Sequence, residues 1–209
     1  MRVVIFGATG RTGRPLVRQA LERGYEVTAF ARDPRKLDMS DANLTLIRSD
    51  VLDGSAVERA VGGQDAVVSV IGHVKDAPED VQTRGTENIV AAMKKHGVGR
   101  LVSLTGAGVR AEGDEPKLVD RVFAFLLGTL QRAVLEDAVA HVRVIRESGL
   151  EWVVVRGPRL TEGTRTGVYR VGLVGKNSGT RISRADLAGF MLDQLTTDAH
   201  LGRMPVVSY

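Results

Sequence analysis

The chain has 209 residues, 43% hydrophobic and 26% charged, enough to bury a substantial core, and a single domain over 1–209 is expected. Cysteine is absent, which excludes disulfides, thiolate nucleophiles, iron–sulfur clusters and thiolate zinc sites. The net charge of +4 comes from dispersed Lys and Arg, and with only 4% aromatic residues to stack bases, a phosphorylated small molecule is a better expected partner than nucleic acid.

The first candidate strand, RVVIF, starts at Arg2 without a basic, apolar leader, and the longest strongly apolar run, VFAFLLGTL (122–130), is far short of a bilayer span. A cytoplasmic protein with no membrane association is expected. After that strand comes Gly7-x-x-Gly10-x-x-Gly13 and then a helical pattern. This is the context in which backbone amides and a helix dipole hold a pyrophosphate. Gly7 would make the turn, Gly10 would admit the ligand to the backbone, and Gly13 would pack the helix on the sheet. Thr9 and Thr12 add hydroxyl donors, and Pro15 suits a first helical turn, where a missing N–H costs little. A merely structural tight turn is the plainer alternative.

The second strand, EVTAF (26–30), runs out as Ala31-Arg32. NAD enzymes commonly place an acidic side chain about 20 residues past the glycines to accept from the ribose 2′-OH. A guanidinium there can instead fork onto a 2′-phosphate, with Arg11, Arg35 and Lys36 crowding the same corner. NADP(H) is therefore expected in preference to NAD(H), although Asp33, one residue on, offers a 2′-OH partner and a solvated basic loop is the bland alternative. The third strand, LTLI (44–47), leads to Asp50 and Val51, an acidic acceptor and an apolar neighbour suited to adenine, or else a cap on the helix of SAVERAV (55–61). The fourth, DAVVSVI (65–71), leads into Ile71-Gly72-His73, where glycine lets backbone approach a ligand or simply ends the strand.

Over 80–97, Val81, Gly85, Asn88, Ile89, Ala92 and Met93 share one helical face, and KKHG closes the helix with cations and Gly97 as C-cap. The strand RLVSLT (100–105), a helical pattern and the strand EWVVVR (151–156) follow. Continuously apolar strands alternating with helices read as α/β, a doubly wound parallel sheet of Rossmann type. Two regions lose this rhythm, 107–131 and 157–180, and are read as substrate-side segments. Within the first, Val119 to Leu130 forms a partly helical apolar cluster, a core helix, a lid or a subunit contact. In the second, Tyr169 either frames an acceptor or sits in a strand at GVYRVGLV, while Ser183 with Asp186 reads as a helix N-cap. Four scattered histidines give no metal spacing, and no metal is expected.

Taken together, IFGATGRTG, ARDPRKL, SDVLD, GQDAVVSVIG, TENIVAAMKKHGV and VIRESGLEWVVVRGPRL resemble the atypical, NAD(P)H-binding (NmrA-like) branch of the short-chain dehydrogenase/reductases. Within it the nearest likeness is to the biliverdin-IXβ reductases, or flavin reductases, and it continues through TGVYRV and ISRADLAGFMLDQLTTD. The resemblance implies pyrophosphate contacts at Gly7, Thr9, Gly10, Arg11, Thr12 and Gly13, and 2′-phosphate contacts at Arg32 and Lys36. It implies adenine contacts at Asp50 and Val51, and ribose and nicotinamide contacts at Ile71, Gly72, Thr105, Gly157 and Pro158.

The chain also departs from that family. Its tyrosines are Tyr25, Tyr169 and Tyr209, and none has a lysine four residues on, so the wider family's Tyr-x-x-x-Lys proton donor cannot be built. Gly106 replaces a serine of the flavin reductases, and Val142 stands where they carry a histidine, with His141 one place away. Thr105, His141 and Tyr169 are the weak catalytic candidates that remain. Reducing a simple ketone creates an alkoxide that needs an acid. A conjugated acceptor such as a flavin, quinone or tetrapyrrole spreads the charge and takes its proton from water. A small-molecule conjugated acceptor, turned over by a monomer or homodimer, is therefore one expectation. The other is a non-catalytic NADP(H) sensor that acts through a protein partner.

Overall fold

Strands β1 (Arg2–Phe6) and β4 (Ala66–Ser69) lie side by side at the centre of a sheet, and this pairing determines where a ligand can enter. The computed structural model describes residues 1–74, 77–116 and 132–209, so the apolar cluster of 119–130 lies outside the described residues. On one side β1 pairs in parallel with β2 (Glu26–Ala31), and β2 with β3 (Leu44–Arg48). On the other, β4 pairs with β5 (Arg100–Gly106) and β5 with β6 (Glu151–Gly157), again in parallel. The full order is β3-β2-β1-β4-β5-β6, then β10 (Val206–Ser208) and β8 (Arg170–Gly172). The chain order reverses between β1 and β4, and the crevice beyond the carboxyl ends of those two strands is where open α/β sheets take ligands.

The apolar strands bury both faces because alternate residues feed two different cores. Val3 and Ile5 pack with Leu16, Val17 and Ala20 of helix α1 (Gly13–Glu22). Val4 and Phe6 pack with α2 (Gly54–Val61) and α3 (Val81–His96) and with the helix Arg132–Arg146, here α4. Gly97 closes α3 in the left-handed region at φ 68°, as expected from KKHG. The other end of α3 is capped from a distance. The side chain of Asp80 makes no cap bond there, and Asp137 of α4 instead accepts from the backbone N–H of Gln82 and of Thr83, both at 2.9 Å.

The alternation expected from the sequence ends at β6, and the structure adds a further layer there. Helix α5 (Arg184–Asp193) covers the α1 side of the sheet, with Gln19 Nε2 donating to the Ala185 carbonyl at 2.8 Å. Strands β7 (Arg159–Thr161) and β9 (Arg181–Ser183) form a separate parallel pair. Strand β10 (Val206–Ser208) joins β6 in parallel, and β8 (Arg170–Gly172) closes the sheet antiparallel to β10. A short 3-10 turn, Pro34–Leu37, buries Leu37 between β2 and β3. Among the described residues no helix is long and apolar enough to cross a membrane.

Candidate cofactor site

At the end of β1 the chain turns at Gly7, whose φ of 80° and close approach to the Val70 carbonyl, 2.8 Å from where a Cβ would stand, require glycine. That approach joins the β1 loop to the β4 loop across the crevice. The Gly10 N–H donates to the Gly7 carbonyl at 3.0 Å and closes the turn. Gly10 itself is exposed, and a Cβ there would meet only the Gly7 carbonyl, at 3.2 Å, so its open side faces whatever enters the loop. At Gly13 a Cβ would stand 2.6 Å from the Ala8 carbonyl carbon and overlap the Gly7 oxygen, so this glycine lets α1 press against the loop. The turn expected at Gly7 and the close helix packing expected at Gly13 are both present in this geometry. Thr12 occupies the N-cap position of α1 without a side-chain cap bond, and its hydroxyl is not committed to the helix.

Beside this loop, Arg32 follows β2 and is exposed. Arg11, Arg32 and Lys36 have no ion-pair partner among the described residues. Asp33 is engaged by its neighbour: Arg35 Nε donates to Oδ1 at 2.8 Å and Nη2 to Oδ2 at 3.4 Å. The hydrogen bond from Arg35 holds the Asp33 carboxyl below the usual carboxylate range. Asp33 is thus paired with Arg35, while Arg11, Arg32 and Lys36 are cations with no ion-pair partner among the described residues.

Across the crevice, Asp50 Oδ1 accepts from Leu52 N–H at 2.9 Å, and Asp53, not Asp50, caps α2 by accepting from Ala56 N–H at 3.1 Å. The second carboxylate oxygen of Asp50 has no donor among the described residues. Val51 and Ile71 meet over Gly85 of α3, where a Cβ would be 2.9 Å from Val51 Cγ1 and 3.5 Å from Ile71 Cδ1. Asn88 Nδ2 holds the Val51 carbonyl at 2.9 Å. Gly72 faces open space.

Where β5 and β6 end, Thr105 pairs with Arg156 and Gly106 with Gly157, and the Ala107 N–H returns to the Gly157 carbonyl at 3.0 Å. Thr105 is 5% exposed, and its buried hydroxyl has no hydrogen-bond partner among the described residues. A buried hydroxyl without a protein partner at the strand ends is available to accept or donate a further hydrogen bond. With the glycine cradle and the open cations, it fits a phosphorylated dinucleotide lying across the strand ends. Pro158 is half-buried next to Gly157, whose Cβ would stand 2.8 Å from Leu160 Cδ2.

The remaining catalytic candidates lie elsewhere. His141 is 2% exposed between α4 and α3, its Nδ1 3.4 Å from Thr86 Oγ1 and its Nε2 without a partner among the described residues. Burial pushes its pKa down to about 4, against the pull of Asp137. Tyr169 stacks edge-on against Phe190 of α5 with ring centroids 5.9 Å apart, just ahead of β8 and not inside a strand. Burial, with Asp193 and Asp186 beyond it, pushes that phenol up, the reverse of what a proton donor needs. Two buried carboxylates were not foreseen as hubs. Asp186, besides capping α5 with Ser183 as expected, accepts from Thr166 N–H and Gly167 N–H at 2.8 Å and from the Tyr209 hydroxyl at 2.5 Å. Asp114 forms a bidentate pair with Arg156, which is fully buried. The only signal for the second was an arginine closing an apolar strand.

A family model for NAD(P)H binding matches residues 7–198. A 2-alkyl-3-oxoalkanoate reductase of Stenotrophomonas maltophilia is 31% identical over 91% of this chain and 64% of its own length. An uncharacterised chloroplastic protein of Arabidopsis thaliana is 31% identical over 79% of this chain and 61% of its own. The chain thus spans under two thirds of the length of these two curated relatives. In fold it is similar to a wide-type short-chain dehydrogenase/reductase of Veillonella parvula solved in complex with NADP. That match has a TM-score of 0.83 at 18% identity and covers 100% of this chain and 94% of the other.

Proposed function

The chain belongs to the NAD(P)H-binding family, and on that premise we propose that it is an NADPH-dependent reductase of a conjugated acceptor: a flavin, a quinone or a linear tetrapyrrole. NADPH, when bound, supplies a hydride from its nicotinamide ring. The chain's own residues position that ring. Gly7, Gly10 and Gly13 open the pyrophosphate cradle, Arg32 and Lys36 offer charge to the 2′-phosphate, and Asp50 with Val51 receives the adenine. Thr105, Gly106 and Gly157 form the floor at the nicotinamide end.

The choice of acceptor rests on the state of the ionisable side chains. Tyr169 is pushed up, His141 is buried between two helices, and Asp114 and Asp186 are saturated with donors. An acceptor that spreads the incoming charge and takes its proton from water matches such a site better than a ketone does. The resemblance of the sequence motifs to the biliverdin-IXβ and flavin reductases supports the same reading. Ketone reduction is the competing chemistry, because one relative is named for reducing a 3-oxoalkanoate.

The same missing acid, together with Gly106 in place of serine, favours a second reading: an NADP(H)-binding regulator of the NmrA-like type that acts on a protein partner. The test is the absorbance of the nicotinamide band after NADPH is mixed with protein and FMN, riboflavin, a quinone or a 3-oxoalkanoate. Decay with the conjugated acceptors and a far slower trace with the ketone is the expected result. Faster ketone turnover would reassign the acceptor. A flat trace across the panel, from protein shown to bind NADPH, would favour the regulator.

A further inference from the structure

Arg156 ends an apolar strand, is fully buried, and is spent on contacts that lie beyond the sheet. Its Nη1 and Nη2 donate to the two carboxylate oxygens of Asp114 at 2.6 and 2.8 Å, its Nη1 also to the Val109 carbonyl at 3.1 Å, and its Nε to the Met204 carbonyl at 2.8 Å. Asp114 in turn accepts from Ala111 N–H at 2.8 Å and Val174 N–H at 3.0 Å. One ion pair thus fastens two segments that come from opposite sides of β6 in the sequence, 107–116 and 170–176. The seam between them is tight. Glu115 N–H donates to the Val174 carbonyl at 2.9 Å, and at Gly175, with φ 81°, a Cβ would overlap the Glu115 carbonyl.

Asp114 cannot serve as a proton donor. Burial alone would raise its pKa, but the bonds from Arg156, Ala111 and Val174 outweigh that and hold the carboxyl below its ordinary value. Nor is stability a sufficient reason for the pair, since a buried ion pair often contributes no more than well-packed apolar side chains would. What it provides is fixed geometry. Arg156 is in register with Thr105 and precedes Gly157, so the segments it fastens adjoin the ends of β5 and β6, where the site reading puts the nicotinamide.

Building on the reductase reading, we propose that Asp114 and Arg156 are the positioning pair of the acceptor pocket. They hold the 107–116 and 170–176 segments as one wall and so set where a flat acceptor rests over the nicotinamide. Neither side chain touches the reacting atoms.

The test compares the parent protein with Asp114→Asn, which removes the bidentate acceptor, and with Gly175→Ala, which opens the same seam without leaving a buried charge unpaired. Three quantities are read: NADPH affinity from nicotinamide fluorescence, steady-state kinetics with FMN, and hydrogen exchange at the Val174 amide. Both variants are expected to raise KM for FMN about tenfold or more, as misplacement by an ångström does, to speed exchange at Val174, and to keep NADPH affinity within about twofold. A KM for FMN that does not move, or NADPH affinity that falls in proportion to it, overturns the assignment. If the parent protein turns over none of FMN, riboflavin and a quinone, the reductase reading fails, and exchange then decides for the pair. Unchanged exchange at Val174 in Asp114→Asn shows that Asp114 holds no wall.

Discussion

The carboxylate of Asp33 is gripped by Arg35, Nε to Oδ1 at 2.8 Å, while Arg32, immediately before it, has no ion-pair partner among the described residues. The arrangement separates the two nucleotide chemistries. A 2′-OH would have to share the Asp33 carboxylate with Arg35; a 2′-phosphate needs a cation, and Arg32 supplies one. NADPH is therefore expected to bind more tightly than NADH, and Arg32→Ala is expected to narrow the gap by about tenfold or more at low salt, and by less as salt screens an exposed contact. Titrations of both nucleotides at two ionic strengths check this. Equal affinities in the unmutated protein would remove the preference.

Gly10 and Gly13 answer differently to the same added atoms. A side chain at Gly13 has the backbone of Gly7 and Ala8 in its way, whereas one at Gly10 leans only on the Gly7 carbonyl, at 3.2 Å, and projects outward. Gly13→Val should lower the melting temperature strongly. Gly10→Val should stay folded, melt within a few degrees of the parent, and lose nucleotide binding. If Gly10→Val keeps its NADPH affinity, the loop is a turn and not a cradle.

The buried imidazole of His141 makes stability depend on pH. Its folded pKa is about 4, lowered by burial from 6.5. Above 6.5 neither the folded nor the unfolded chain binds the proton, so His141 imposes no cost. As pH falls toward 4 the unfolded chain takes up the proton and the folded one does not, which drains up to about 3 kcal/mol of stability. Among the described residues Nε2 has no partner to lose and Nδ1 has only Thr86 at 3.4 Å, so His141→Leu should flatten this acid limb with little change near neutrality. Urea midpoints followed from about pH 8 down to pH 4 measure it. A parallel slope in the variant would assign the acid sensitivity to other groups.

The parts of the site that were legible in the sequence are those whose cause is local. Gly7, Gly10 and Gly13 declare a strand, turn and helix within a few residues, and Ser183 with Asp186 declares an N-cap. Helix α5 was harder to place in the sheet's layers because it is buried on nearly every side, from Arg184 through Leu192, and so carries no single apolar stripe. Tyr169 looked like a strand residue by alternation, yet its ring turns to Phe190, a contact made across 21 positions that no local pattern marks. Asp114 and Arg156 stand 42 residues apart. Spacing and periodicity say nothing about such a pair; an arginine within an apolar strand signals only that some buried anion must exist to receive it.

Thr105 separates stability from function in one substitution. Its hydroxyl is buried at the end of β5 without a protein partner, so the folded chain bears a desolvation cost that nothing in the described structure repays. Thr105→Val keeps the shape and removes that cost, and it is expected to stabilise the unliganded protein by about 1 kcal/mol. If the hydroxyl serves the bound nicotinamide or the acceptor above it, the same change should weaken NADPH binding or FMN turnover by about tenfold, the worth of one hydrogen bond in a sheltered site. Tyr169→Phe is the matched control: its phenol is raised in pKa and stacked on Phe190, so turnover should be unaffected. Melting curves and NADPH titrations of the two variants decide the matter. A Thr105→Val protein that is more stable and binds NADPH and turns over FMN as before would show the orphan hydroxyl to be a packing defect, and the nicotinamide end of the crevice would then have to be sought without it.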